Sequence, residues 1–392
     1  MTAALALARS GFRVVVLEQA ERLEETGAGI QLSPNASRTL IGLGLEEQLR
    51  AHTVAPSALF VLDARSGRKI AHVPLGDAAA GRYGAPYWVI HRGDLQAALA
   101  NTVAQTPGIT LKLATRMEGF AVQTNSVTVS ARSSAGAIDE QATALIAADG
   151  LWSATRRRLG HDASPRFAQR AAWRALIPVK DVVPEFAEPK VHLWLGSAAH
   201  LVHYPVKAGN LINIVVIMDD TWNAAGWSEA ASRADLLPRI SKDDWAPQAL
   251  SLIGLPERWL KWALYDLEPI PRWSLGPVAL LGDAAHPMLP YLAQGAAMAI
   301  EDADVVARCL AQTPDDPIAA LRTYEAARWA RARKVQRLAA RNGARYHLIG
   351  LRAKVRNLAM HALGGVRLLH HYDWLYGWRP PAALSLTDRS QI

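Results

Sequence analysis

The segment Gly282-Asp283-Ala-Ala-His286-Pro287, continued by Pro290, Gln294 and Gly295, holds the densest set of chemically capable residues in the chain. The apolar run Val278 to Leu281 reads as a buried strand that delivers Asp283 to a loop. Two prolines stiffen that loop, and Gln294-Gly295 opens a helix whose first amides point back into it. A carboxylate beside free helix amides suits an electron-rich ring edge or a developing anion. His286 reads either as a base or, held before proline in a stiff turn, as a structural side chain. A second constellation is Asp149-Gly150 with Ser153 and Arg156, placed after the strand-like run Ala144 to Ala148. Strand ends of open α/β sheets are where ligands sit. The plain alternative is a strand–turn–helix in which Ser153 is a local cap. Glu18, closing the β-branched run Arg13 to Leu17, stands where an acid can bind ribose hydroxyls, although acids at strand ends are common.

The elements that must position these groups fall into blocks. Thr2 to Arg9 reads as an alanine-rich helix capped by Gly11, and Ser33-Pro34-Asn35 opens a helix to about Leu43. Ala58 to Leu62 and Arg68 to Val73 flank Ser66-Gly67 as a hairpin. Arg92 to Gln105 is helical. Short strands follow at Ile109 to Ala114, Met117 to Gln123 and Val127 to Arg132. Residues 165–267 alternate as strands at Val191 to Leu195, His200 to Pro205 and Leu211 to Met218. Tryptophans 173, 194, 222, 227, 245, 259 and 262 fall there, as core or pocket walls. From about Glu301 the pattern is helical almost to Leu369. The expected fold is α/β: a Rossmann-type nucleotide-binding domain (1–57, 87–164 and 268–345) interrupted by a β-rich substrate domain (58–86 and 165–267), with a helical C-terminal region (346–392).

Composition narrows the class. The chain has 392 residues, half of them hydrophobic and a fifth charged, which excludes disordered, collagen-like and coiled-coil proteins. No uncharged apolar run is long enough to span a bilayer. The single cysteine, Cys309, excludes a disulfide framework and a cysteine-rich zinc site, and no metal-ligand spacing appears. The apolar start lacks the basic residue of a signal peptide, so the expected location is the cytoplasm. The net charge of +8 is uneven: from Ala319 onward it is +11, leaving −3 for the rest. Such a tail could hold an anionic surface; the reading adopted is a solvated helical face without nucleic-acid binding, since no recognition module is present.

Together, Asp149 to Arg156 and Gly282 to Gly295 resemble the single-component FAD-dependent aromatic hydroxylases with the p-hydroxybenzoate hydroxylase fold. Within them the similarity is to the salicylate hydroxylase, 3-hydroxybenzoate 6-hydroxylase and 6-hydroxynicotinate 3-monooxygenase group. Gly27 to Asn35, His91-Arg-Gly-Asp-Leu95, His200-Leu-Val-His-Tyr-Pro205 and Tyr372 to Trp378 carry the same resemblance. It implies that Glu18 holds the adenosine ribose and that Arg92 lies against the flavin or its diphosphate. Asp149 and Gly150 would serve FAD, Asp283 the ribityl chain, and Gln294 with Gly295 the isoalloxazine. His200 and Tyr204 match a His-x-x-x-Tyr pair that meets the substrate. Gln31, Pro290 and Tyr291 fall at pocket positions, and two of these, Gln31 and Tyr291, stand where a relative has histidine. The implied reaction hydroxylates a small hydroxylated aromatic acid with NAD(P)H and O2 through a flavin C4a-hydroperoxide. A phenolate attacks that peroxide better than a phenol, so a base is needed, and His200 has a suitable ordinary pKa. With no second glycine fingerprint, NAD(P)H is expected to visit transiently. A homodimer without stable membrane association is expected.

The family pattern also has a strand and GxGxxG loop ahead of the first helix, whereas this sequence begins inside that helix. The expectation is a start assigned downstream of the true one, with the missing motif encoded in frame upstream. The alternatives are a truncated paralogue without FAD, and a flavin hydroxylase or epoxidase acting on a lipid or quinone; the lack of a C-terminal apolar anchor argues against the latter.

Overall fold

The computed structural model describes residues 1–23, 28–124, 126–222, 228–382 and 384; Gly27 and Trp227 of the motifs above lie outside them. The helix Thr2–Arg9 buries Ala4, Leu5, Ala6 and Leu7, and the chain reverses through Gly11 at φ +89°. The strand Val14–Leu17 follows and pairs in parallel with Ile109–Lys112. Leu145–Ala147 pairs in parallel with Val278–Leu280. Asp149 and Asp283 therefore leave neighbouring strands at the same end of the sheet, where an open α/β fold makes its crevice. Val278–Leu280 is buried throughout, whereas Leu145 and Ile146 are only half-buried.

The second layer is an eight-stranded sheet. Its order is Ser228–Ser232, Arg258–Asp266, Arg166–Pro178, Leu211–Asp219, Ala199–Val206, Lys190–Leu195, Ala58–Asp63 and Lys69–Pro74. The 58–74 hairpin forms as expected and joins this sheet through a parallel pairing of Ala58–Asp63 with Lys190–Leu195. Arg166–Pro178, Ser228–Ser232 and Arg258–Asp266 are strands that the sequence pattern did not reveal. So is Gly136–Ala142, the last strand of a small meander with Arg116–Val122 and Val127–Ser133. One face of the large sheet packs Leu201, Ile212, Ile214 and Val216 against Trp173, Trp194, Trp245 and Trp259. The register Ala172–Ile217–His200 and Arg174–Val215–Val202 assembles the opposite face, which carries the site.

Two long helices link the layers. Gly295–Gln312 packs on Pro317–Tyr346, a 30-residue helix capped by Asp316, which accepts a 2.9 Å bond from the Ala319 amide, with Pro317 at its first position. Between them lies a buried ionic network. Arg328 donates to Glu301 at 2.5 Å and to Asp302 at 2.7 Å, and Arg331 donates to Glu301 at 2.8 Å. The second Asp302 oxygen meets His286 Nε2 at 2.5 Å and accepts from the Gly282 amide at 3.1 Å. Burial opposes both carboxylates, but the cations win: Glu301 is held below its ordinary pKa and Asp302 is pushed down to about 2. His286 is thus a structural side chain that locks the Asp283 loop onto the helix pair. Among the described residues, no helix is long and apolar enough to cross a membrane.

The face opposite the site buries His192 and His203 as a stacked pair, ring centroids 4.4 Å apart, beside Phe186. None of their four ring nitrogens has a hydrogen-bond partner among the described residues. Burial pushes His192 down to about 4 and His203 well below its ordinary value. Unfolding lets both rings titrate normally near pH 6.5, so the unfolded state binds more protons below that pH. Stability is therefore full above about pH 6.5 and falls as the pH drops toward 4. His192 alone contributes a loss of roughly 2 kcal/mol at pH 5. Urea midpoints measured from pH 7.5 to 4.5 should fall accordingly, and a His192→Phe variant should flatten the profile. A wild-type profile that is level between pH 7 and 5 would contradict this.

Candidate active site

The first group of predicted residues gathers around the ends of the parallel strands. Glu18 is half-buried; its Oε1 accepts from the Ala20 amide at 2.9 Å, and its charge reaches the amino group of Met1 at the start of the first helix. Glu18 directly follows the strand Val14–Leu17, the strand-end position on which the ribose reading rests. Asp149 is exposed, yet its two oxygens accept from Ser153 Oγ at 2.6 Å and from the Thr155 amide at 3.0 Å. The Asp149 carboxylate and Ser153 thus cap the helix Ala154–Arg158 jointly. Arg156 does not present its guanidinium to a ligand. It is buried and donates to the carbonyls of Ala284, at 2.9 Å, and Leu151, so it ties this turn to the Asp283 loop. Asp283 is exposed to the crevice. Dense surroundings raise its pKa through desolvation, against the pull of His286 and Arg92, which places the exposed Arg92 side chain within electrostatic reach.

Gln294 and Gly295 divide their labour. The Gln294 side chain turns inward, donating to Ser33 Oγ at 2.8 Å and accepting from Asn35 at 3.1 Å. Asn35 in turn donates to Glu301 at 2.6 Å. The amide therefore positions the helix start, and any ligand contact at this point is left to backbone. Space is open around the Gly295 Cα, where a Cβ would meet only Met288, at 3.9 Å.

The second group sits on the inner face of the large sheet. His200 and Tyr204 are both buried and share that face, while His203 points to the other. Tyr291, from the loop after Asp283, stands with its ring centroid 5.5 Å from His200; Pro290 beside it is half-buried. Tyr204 reaches Gln31, whose Oε1 accepts from Tyr87 at 2.6 Å. The strand Gly29–Leu32 can come this close because Gly29 has no side chain: a Cβ there would lie 2.6 Å from the Tyr204 ring. His200, Tyr204, Gln31 and Tyr291 are thereby brought together, as the motifs implied.

Two further residues, one on this face and one packed against it, escaped the sequence reading. Arg174 lies on it, with no carboxylate partner among the described residues, stacked 4.9 Å from the Trp262 ring centre. Burial pushes its pKa down to about 10. The signal was an arginine inside an otherwise apolar run, Ala171 to Pro178. His347, at the C-terminal end of the long helix, puts Nε2 2.7 Å from His200 Nδ1. Nothing in the sequence marks that contact across 147 residues. Burial drives both histidines down, His347 to about 4, so both are neutral near pH 7.

Gly150, at φ +75° with nothing within 4 Å of a would-be Cβ, leaves room for close approach of a ligand at the Asp149 turn. The strand-end carboxylate of Asp283, without a hydrogen-bond or ion-pair partner among the described residues, a nearby exposed arginine and two open glycine positions fit a polyhydroxylated, diphosphate-bearing, flat-ringed group such as FAD. Fold and site define a flavin-binding oxidoreductase class. The chain belongs to the FAD-binding domain family, which it matches over residues 1–339. It is 36% identical over 378 residues to the 3-hydroxybenzoate 6-hydroxylase of Polaromonas naphthalenivorans (strain CJ2), covering 96% of this chain and 93% of that protein. It is 35% identical to the 6-hydroxynicotinate 3-monooxygenase of Pseudomonas fluorescens, over 86% of each chain. Among solved structures it is similar to a salicylate hydroxylase substrate complex (TM-score 0.80, 25% identity, 96% of this chain and 92% of that one). It is also similar to Klebsiella pneumoniae HpxO complexed with FAD and uric acid (TM-score 0.82, 25% identity, 96% and 93%).

Proposed function

We propose that the protein is a flavin-dependent monooxygenase that hydroxylates a small hydroxylated aromatic acid, consuming O2 and NAD(P)H. The observation that carries this reading is the inner sheet face. It carries a neutral buried histidine, a buried tyrosine and a half-buried arginine that has no carboxylate partner among the described residues, with Tyr291 of the loop that also bears Asp283 against the histidine. FAD, when bound, supplies the activated oxygen. Glu18 would hold the adenosine ribose, Arg92 the diphosphate or flavin, Asp283 the ribityl hydroxyls, and the backbone at Asp149-Gly150 and Gln294-Gly295 the remaining contacts. His200 accepts the phenolic proton; Tyr204, Gln31, Tyr291 and Pro290 shape the pocket. Arg174 stabilises the carboxylate or phenolate of the substrate, because a desolvated guanidinium without an anion gains most from acquiring one. NAD(P)H visits without a domain of its own.

The same reading divides the chain into an FAD-binding part (1–57, 87–164 and 268–345), a substrate part (58–86 and 165–267) and a C-terminal helical part (346–392). It places the enzyme in the cytoplasm, as a homodimer. The test is direct: oxygen uptake with NADH or NADPH and 3-hydroxybenzoate or 6-hydroxynicotinate, with the product identified by mass. Substrate-independent oxidation with no hydroxylated product from either compound, or from other hydroxylated aromatic acids, would sink it.

One prediction arises from the cofactor side. Asp283→Ala should lose FAD on gel filtration, because the variant no longer offers a charged acceptor to sugar hydroxyls. The ratio of flavin absorbance near 450 nm to protein absorbance checks it, an expectation from flavin chemistry. Full flavin occupancy in the variant would remove Asp283 from the site.

A further inference from the structure

The inner side of the helix Pro317–Tyr346 is occupied by Arg328, Arg331 and Val335, which meet the helix Gly295–Gln312. At about 100° per residue, Ala326, Ala330, Arg333, Lys334, Arg337 and Arg341 turn to the outer side. There they line a groove of about 880 Å³ that shares no residue with the inner sheet face or with the crevice at Asp149 and Asp283. Alanine at 326 and 330 keeps its floor low. One wall is the segment at Pro271, fixed by a 2.8 Å bond from Trp329 Nε1 to the Ile270 carbonyl. The other wall holds His371 and Trp374, fixed by Arg331, which donates to the Trp374 carbonyl at 2.9 Å. Arg333 lies 4.8 Å from the Trp329 ring centre and Lys334 4.2 Å from that of Trp374. Among the described residues no acid lines the groove, and Asp373, next to Trp374, is engaged with Arg82 and Tyr83. None of the four cations has an ion pair among those residues, and Lys334, Arg337 and Arg341 are exposed. Arg333, Arg337 and Arg341 also stand four residues apart, a spacing at which like charges destabilise a helix. An anion laid along this stripe removes that repulsion.

We propose that this groove is a second ligand site, one that takes a nucleoside diphosphate. The lining selects it among anions. A single aromatic carboxylate brings one negative charge and leaves most of the four cations unmatched. A nucleoside diphosphate brings about three, spread over oxygens that guanidinium groups bind in pairs. It also brings a flat base, for which the two indoles are a stacking surface. The volume is that of a small-molecule site, about 300–1,000 Å³. The phosphates lie on Arg333, Arg337 and Arg341, and the base lies toward Trp374. A free nucleotide and the adenosine diphosphate half of a nicotinamide dinucleotide share this chemistry.

The experiment titrates FAD-loaded protein with ADP, adenosine and pyrophosphate by calorimetry, at low and at high salt. ADP should bind once per chain, about tenfold or more tighter than either fragment, and should weaken as salt rises. Flavin absorbance should stay constant, because the groove and the crevice have no residue in common. Arg337→Glu should weaken ADP by about tenfold or more. The new acid stands four residues from both Arg333 and Arg341 and pairs with them, so the helix is kept; an unchanged urea midpoint verifies this. Trp374→Leu should weaken ADP by about fivefold or more through loss of the stacked base. No saturable heat from ADP, or full ADP affinity in Arg337→Glu, would overturn the site. FAD release on adding ADP would place the nucleotide in the crevice and overturn it equally. Pyrophosphate binding as tightly as ADP would leave an anion patch without a base contact, against the proposal. The two sources separate in steady state. A KM for NADH or NADPH that rises in Arg337→Glu together with the ADP dissociation constant assigns the groove to the dinucleotide, and an unchanged KM assigns it to a free nucleotide. Because the ADP titration needs no turnover, its outcome is independent of whether the protein hydroxylates any aromatic acid.

Discussion

Replacing His200 by alanine should leave FAD bound and slow hydroxylation by about 10²–10⁴-fold, the usual cost of losing one acid/base group. Flavin reduction by NAD(P)H needs no phenolate and should persist, so the variant should consume oxygen and release hydrogen peroxide without a matching amount of product. His203 is the control, three positions along the same strand. It faces away, stacked on His192, so His203→Ala should lower stability and leave the coupling of oxygen to product unchanged. The ratio of product formed to oxygen consumed decides the matter. A fully coupled His200→Ala beside an uncoupled His203→Ala would reverse the assignment of faces.

Arg328→Ala should cost about 3–5 kcal/mol of stability, because it leaves Glu301 and Asp302 buried with too little positive charge. Arg331 still reaches Glu301, but Asp302 keeps only His286 and the Gly282 amide. The damage should not stay local. The His286–Asp302 contact holds the Asp283 loop, and Asn35 joins Glu301 to Gln294, so FAD affinity should fall together with the urea midpoint. A midpoint shift corresponding to less than about 1 kcal/mol would show that the network is not a structural hub.

Much of this was legible in the sequence where local physics is strong. Val278–Leu280, the helix Arg92–Gln105 and the hairpin at Ser66-Gly67 form where apolar runs and turn residues place them. The motif pair around Asp149 and Asp283 identified the family, because a strand end, a glycine and a polar side chain at fixed spacing are local features. The strands Arg166–Pro178 and Arg258–Asp266 were not visible, since both faces of the first are largely covered and its period-two alternation is blurred. Roles inside the motifs were also not visible. Sequence could name His286, Gln294 and Arg156 as polar residues in the right segments. It could not say that all three are turned inward to brace the loops, because that depends on carboxylates, hydroxyls and carbonyls brought from distant segments.

By itself, then, the sequence determined the fold class and which loop bears the carboxylate, since these follow from hydrophobic period and short-range motif geometry, and it pointed to the cofactor through the family resemblance that those motifs carry. It also put His200 and His203 on opposite faces, which strand alternation alone requires. Only the tertiary structure showed what each face meets. It set Tyr291 against His200 and placed on the same face Arg174, which has no carboxylate partner among the described residues. It also set His347 against His200 from 147 residues away. Such contacts are made by sheet register and helix packing, and a long-range hydrogen bond between two buried rings leaves no trace in the spacing of residues along the chain.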